Sequence, residues 1–208
     1  MRFKFLQVLF SILTLAPFTS FGQAAQDIKR LSTESKVYSP NGNPKALGLD
    51  FRIKYLSDWK VQEGERPHVV QKFISNTNQA QVSYGILVNK LPGEPMGRQE
   101  IDDLLADVEE MVPAGCTFIS KNPNLIVDGE RAALIEFKGI RTSEQTAVGL
   151  DIIIYTYSYN IIYKNYLIQL HFSVGGTKDT VALKELYSSY KPFFQLVATS
   201  FVITSKWK

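Results

Sequence analysis

Four tyrosines along one face of a predicted strand form the most distinctive local pattern in the sequence. Tyr155, Tyr157 and Tyr159 alternate along the strand, and Tyr163 continues the same face after Ile161. Tyrosine combines a large contact area with a hydroxyl at low entropic cost, so this tyrosine ladder could form a platform that recognises a partner. The alternative is that the ladder packs beneath the last helix, because tyrosine is also a good strand residue.

An acidic stripe on the first predicted helix is the second candidate. Asp102 and Glu109 lie beside this stripe, on the side opposite the apolar residues of the helix. The members of the stripe are Glu100, Asp103, Asp107 and Glu110. Paired carboxylates can act as acid and base, but only in a cleft that separates their pKa values. The stripe is therefore either a solvated face or a docking surface for a basic partner, with Asp103 and Asp107 as its candidate binding residues.

Patterns for catalysis or metal binding are sparse, since the sequence has only two histidines. His171 lies within an apolar strand, which indicates a sheet histidine with its hydrogen bonds satisfied. His68 follows Glu63 and Glu65, but no spacing such as His-x-x-x-His brings three metal ligands together. No Gly-x-Ser-x-Gly elbow presents a nucleophilic serine. We therefore predict no catalytic residue, no metal site and no cofactor, and a metal-assisted hydrolase around His68 is the remaining enzymatic hypothesis.

Two further features have structural interpretations. The glycines at 175 and 176 precede Thr177, but the segment lacks the spacing of a phosphate loop. We interpret it as a turn in which Thr177 or Asp179 caps the last helix. Cys116 is the only cysteine and cannot form an internal disulfide, so we expect it to be buried and inert.

The composition is that of an ordinary globular protein. The 208 residues are 45% hydrophobic and 12% aromatic, and the formal net charge is only +3. These values exclude an intrinsically disordered chain and argue against a nucleic-acid partner.

The spacing of apolar residues predicts the helices and strands that carry the tyrosine ladder and the acidic stripe. Helical spacing recurs from Ile101 to Val112 and from Leu183 to Phe201, where Pro192 should kink or split the helix. A strand period of two recurs at 49–55, 68–74, 81–88, 117–127, 132–140 and 148–174, the last divided by Lys164 and Asn165. The predicted fold class is α+β: an α/β/α sandwich with a central, mostly antiparallel sheet of about six or seven strands and two main amphipathic helices.

The N-terminal segment reads as an export signal. Arg2 and Lys4 precede an apolar run that is too short to span a bilayer, and small residues precede Gln23. We therefore predict a signal peptide over residues 1–22, a flexible lead-in over 23–46 and a single domain over 47–203. No stable transmembrane anchor is expected, and the protein would be periplasmic in a Gram-negative host and secreted otherwise.

Several short segments resemble the PsbP-like superfamily. They are the strand, turn and Trp of residues 51–61, Asp128-Gly129 ahead of Ala132-Ala133, the strand of residues 166–172, and the helix end at 197–201. The family often has a proline before the first turn, where this chain has Leu56. The resemblance implies an α/β/α sandwich around an antiparallel sheet and a role in binding or assembly, and it supplies no catalytic residues.

The sequence thus predicts an exported, non-enzymatic binding or assembly-accessory protein of the cell envelope. Its expected partner is an envelope or periplasmic protein, and the oligomeric state stays open. The alternative is a small-molecule or lipid carrier with a pocket between the sheet and the C-terminal helix. That pocket would be lined by Tyr155, Tyr157, Phe193 and Phe194.

Overall fold

The computed structural model describes residues 20–77, 80–145 and 149–207. Most of the predicted signal peptide, residues 1–19, lies outside this range. Three α-helices are described: α1 (Ser20–Thr33), α2 (Arg98–Ala106) and α3 (Val181–Thr199). The strands are β1 (Ser35–Tyr38), β2 (Ile53–Leu56), β3 (Lys60–Glu63), β4 (Val69–Asn76), β5 (Gln81–Lys90), β6 (Thr117–Val127), β7 (Glu130–Arg141), β8 (Ile152–Tyr163) and β9 (Tyr166–Gly176). Short 3₁₀ helices cover Pro44–Ala46, Val108–Met111, Ser143–Gln145 and Thr204–Trp207.

Seven of these strands form one antiparallel sheet in the order β3-β4-β5-β9-β8-β7-β6. Strands β1 and β2 form a separate antiparallel pair. Strands β4 and β5 match the predicted strands of residues 68–74 and 81–88 and form a hairpin, and the long apolar run is divided into β8 and β9 as predicted. Lys164 adopts a positive φ of 56° in the turn between β8 and β9, which lets the chain reverse within two residues. The predicted α+β fold class is confirmed.

The larger core lies between one face of this sheet and helix α3. Phe193 and Phe194 are fully buried there, and the Phe194 ring stacks on Phe172 of β9 with centroids 5.0 Å apart. Helix α3 is continuous through Pro192, although the sequence predicts a kink or a split there. Burial of the aromatic residues on both sides of the proline offsets its cost of about 3 kcal/mol in a helix interior.

Helix α2 and the 3₁₀ helix that follows it cover the other face of the sheet at β6 and β7. Leu105 and Val108 are buried against Ile135 and Phe137 of β7. The predicted helix of residues 101–112 therefore exists, but its α-helical part ends at Ala106. Helices on both faces complete the sandwich.

The segment 23–46, expected to be a flexible lead-in, is wrongly predicted. Helix α1 packs on α3 and buries Ala24 and Leu31, and β1 pairs with β2. The helix is amphipathic, but its overall apolar content is low, so the segment looks like a polar lead-in when only the number of apolar residues is considered. The folded part of the chain therefore begins before residue 47, and it has three main helices rather than two.

None of the described helices has the length and apolar character needed to cross a membrane.

Candidate functional site

The tyrosine ladder lies in the core beneath α3. Tyr155, Tyr157, Tyr159 and Tyr163 expose only 6%, 4%, 7% and 6% of their surface. Of the two interpretations of the ladder, the structure shows packing beneath the last helix and not an exposed recognition platform, so these tyrosines are not binding residues. A period of two shows which residues share a face, but it does not show which face the helix covers.

Two of the ladder's hydroxyl groups are held by partners at the edge of this core. Tyr155 donates to Oδ1 of Asp179 over 2.7 Å, and Tyr157 accepts from Nε2 of Gln195 over 3.2 Å. Burial and the negative charge of Asp179 raise the pKa of Tyr155 to about 12. These two hydroxyl groups are engaged within the protein and orient the core.

The expected carrier pocket between the sheet and α3 is filled by side chains. The Phe194 ring lies 6.3 Å from the Tyr157 ring and 6.2 Å from the Phe193 ring, and all three residues are buried. Rings at these separations are in contact, which leaves no room for a ligand among them.

A buried carboxylate ties α3 to the outer strands on the same face. Glu136 of β7 accepts from the hydroxyl of Tyr187 over 2.7 Å and from the hydroxyl of Ser120 over 3.0 Å, and it pairs with Lys191 over 2.6 Å. Burial raises the pKa of Glu136, but these three partners outweigh it and hold that pKa below its usual value. We assign this cluster a structural role because each of its groups has a partner.

The acidic stripe lies on the exposed side of α2 and of the 3₁₀ helix that follows it, as predicted. Two neighbouring acids are neutralised, since Asp102 pairs with Arg131 and Glu109 pairs with Lys121. Asp103 accepts from the side-chain amide of Gln99 over 2.8 Å but pairs with no cation among the described residues.

The unneutralised acids surround a shallow depression of about 330 Å³. It is lined by Asp103, Leu104, Asp107, Glu110 and Met111. Asp103 and Asp107, the two candidate residues, therefore lie at the same surface site with two partly buried apolar side chains between the acids. We call this site the acidic depression.

Glu63 and Glu65, the two acids that precede His68 in the sequence, do not form a metal site with it. Glu63 pairs with Lys45 over 2.8 Å, and Glu65 pairs with Lys72 over 3.3 Å. Within the ranges that the structure describes, no three His, Cys, Asp or Glu side chains are grouped so as to hold a metal ion.

The second histidine lies near the centre of the large sheet, on the face opposite the tyrosine ladder. His171 of β9 stands beside Ser158 of β8 in the sheet register. Burial lowers the pKa of His171 to about 4, with a further contribution from the charge of His68. Sequence reasoning assigned His171 satisfied hydrogen bonds, but its ring makes none with the described residues.

Two smaller predictions concern Cys116 and the last helix. Cys116 is half-buried against Gly139, and burial raises the pKa of its thiol, which disfavours the reactive thiolate. Thr180 rather than Thr177 or Asp179 caps α3, because its hydroxyl accepts from the backbone N–H of Leu183 over 3.1 Å. Asp179 is instead held by Tyr155 and Lys138.

Comparison with known proteins gives little further information. No family model and no curated protein matches this chain. A crystal structure from Pseudomonas aeruginosa, of a protein of unknown function described as a putative regulator, is similar over 69% of this chain and 88% of that chain. The two share 14% identity with a TM-score of 0.36, and a likeness of that degree supports no argument about fold or function.

Proposed function

We propose that this is an exported, non-enzymatic accessory protein of the cell envelope that binds a basic segment of an envelope protein. The observation that carries the proposal is the acidic depression on α2. The signal-like N-terminal sequence and the absence of a catalytic motif from the sequence also support it.

The chemistry of the depression defines the partner. Asp103, Asp107 and Glu110 are exposed and form no ion pair within the described part of the chain, whereas the acids beside them are already paired. Unpaired charges at a surface speed the encounter with a partner of opposite charge and set its orientation. Leu104 and Met111 add apolar contact, so a basic segment that carries an apolar side chain fits this site best.

Membership of the PsbP-like superfamily is part of the same proposal. An antiparallel sheet with helices on both faces agrees with what the sequence resemblance implies. This protein would then share with the other members of the superfamily a role in binding or assembly rather than in catalysis.

The test is capture of partners by crosslinking in cells that express the protein with its own N-terminal sequence. We expect a specific envelope protein to be enriched, and we expect Asp103→Lys combined with Asp107→Lys to lose it. A matched control places the same charge change at Glu185→Lys and Glu144→Lys, two exposed acids away from the depression. Capture that survives the first pair of substitutions, or is lost equally with the control pair, would overturn the proposal.

Localisation is tested separately by fractionating the same cells. Recovery of a shortened chain outside the cytoplasm is the expected result. A full-length chain in the cytoplasmic fraction would contradict export.

A further inference from the structure

A leucine in an unfavourable backbone conformation marks one end of the sandwich. Leu47 follows the 3₁₀ helix Pro44–Ala46 with φ 53° and ψ 33°, the left-handed region, and Gly48 continues there with φ 83°. Glycine and asparagine adopt this conformation readily, but in a leucine the Cβ atom comes too close to the following carbonyl oxygen. The Leu47 side chain is 44% exposed, so burial within this chain offsets little of that cost.

A second exposed apolar side chain lies at the same end. Trp207 is 79% exposed, whereas Trp59, the other tryptophan, is 4% exposed. The backbone N–H of Asp50 donates to Oγ of Ser205 over 2.7 Å, which joins the Leu47 loop to the C-terminal 3₁₀ helix. The two exposed side chains therefore lie within a few residues of one direct contact.

The hairpin of β8 and β9 holds both segments in place. Tyr163 and Tyr166 stand opposite each other at its turn. The hydroxyl of Tyr166 donates to the carbonyl of Leu47 over 3.2 Å, and Nζ of Lys206 lies 5.8 Å from the centre of the Tyr163 ring. Leu47 and the residue before Trp207 thus contact two neighbouring tyrosines, which places both exposed side chains at one end of the molecule.

Two lysines flank these apolar side chains. Lys164 is the turn residue of the hairpin, and Lys90 of β5 stands beside the start of β9 in the sheet register. Both are exposed and form no ion pair within the part of the chain that the structure describes. Asp128 and Glu130 of the neighbouring β6–β7 turn are already paired with Lys206. This surface, which we call the hairpin end, therefore presents apolar side chains beside positive charges.

We propose that the hairpin end binds the surface of a lipid bilayer that contains anionic lipids. Leucine and tryptophan side chains enter the boundary between headgroups and acyl chains, and lysines beside them remain with the anionic headgroups. A bilayer needs no matching cavity, so protruding side chains are sufficient for binding, and the lysines select a negative surface. Insertion of Leu47 offsets the cost of its backbone conformation. The hairpin end carries the opposite charge to the acidic depression and does not depend on the protein partner proposed for it.

The test measures the fluorescence of Trp207 in the full-length protein during titration with vesicles. One kind of vesicle contains phosphatidylethanolamine, phosphatidylglycerol and a brominated lipid as quencher, and the other contains phosphatidylcholine with the same quencher. Tryptophan occurs only at positions 59 and 207, and Trp59 is buried, so the emission reports the hairpin end and not the apolar N-terminal run. We expect a saturable blue shift and quenching with the anionic vesicles, and an affinity about tenfold lower for the zwitterionic ones.

Leu47→Asn separates insertion from folding. Asparagine fits the left-handed conformation better than leucine, so the melting temperature should rise while the affinity for anionic vesicles falls about tenfold. The matched control is Ile140→Asn, which removes an exposed apolar side chain at the other end of β7 from Glu130 and should leave vesicle binding unchanged. Lys90→Gln combined with Lys164→Gln should abolish the preference for anionic vesicles.

The proposal is overturned if anionic vesicles neither shift nor quench the emission of Trp207, which is the result expected for a surface that binds another protein. It is also overturned if Leu47→Asn binds as tightly as the wild type, or if Ile140→Asn loses binding to the same degree. Circular dichroism reports folding, and if Leu47→Asn fails to fold, the double lysine variant decides.

Discussion

Asp27 of α1 accepts a hydrogen bond from the hydroxyl of Tyr190 of α3 over 2.9 Å, and both residues are buried. Gln23 and Arg30 also bind this carboxylate, so helix α1 is held to α3 by a polar contact within an apolar interface. Together with the burial of Ala24 and Leu31, this contact holds a segment with few apolar residues in the fold.

Tyr190→Phe tests this contact. Removing the hydroxyl leaves the buried Asp27 carboxylate with one partner fewer, and we expect the free energy of unfolding to fall by about 1–3 kcal/mol. Chemical denaturation measures it. Tyr163→Phe is the control, because that tyrosine is also buried but its hydroxyl bonds to none of the described residues. An equal loss in both variants would contradict the role of Asp27.

The pH dependence of stability tests the Glu136 cluster. Its partners lower the pKa of Glu136 in the folded state, so its contribution is present above the ordinary pKa of 4.5 and is lost as the pH falls through the lower folded pKa. We expect Glu136→Gln to be less stable than the wild type near neutral pH, with a difference that shrinks under acid. Denaturation across this pH range measures the difference. The exposed Glu185→Gln should show no such trend, and a Glu136→Gln difference that stays constant with pH would count against the assignment.

Pro192→Ala should stabilise the protein. The proline is exposed within a continuous helix, where it lacks an N–H for the helical hydrogen bond. We expect alanine to raise the free energy of unfolding by about 1–3 kcal/mol, measured by thermal and chemical denaturation. Ser188→Ala, an exposed substitution in the same helix, should gain only a few tenths of a kcal/mol. A loss of stability in Pro192→Ala would mean that the neighbouring aromatic packing depends on the proline.

Two glycines should respond oppositely to alanine. Gly64 is buried, and a Cβ there would collide with the backbone and side chain of Val69, so Gly64→Ala should cost about 3 kcal/mol or more. Gly85→Ala would make only ordinary contacts, and we expect its stability to stay within about 1 kcal/mol of the wild type. The melting temperatures of the Gly64→Ala and Gly85→Ala variants measure this difference in stability. Similar melting temperatures would contradict the close approach of Val69 to Gly64.

The sequence predicted the fold class because local periodicity is strong in the strands and in α3. It missed α1, which is held by contacts with residues far along the chain, such as the hydrogen bond between Asp27 and Tyr190 and the packing of Ala24 and Leu31 in the core. It identified Asp103 and Asp107 because neighbouring acids on one helix face need no tertiary information. The same alternation that predicted the tyrosine ladder also places Ser158 on the opposite face, but the proximity of Ser158 and His171 depends on the register of two strands.

The packing of α1 on α3 has a consequence for the order of folding. The first described helix meets the last one, and the backbone of Arg52 also pairs with that of Val202. These contacts close long loops, which is slow and requires the C-terminal residues to be present. The core is therefore complete only when α3 is in place. A folding intermediate without α3 would leave the tyrosine-ladder face of the sheet uncovered and α1 without its packing partner.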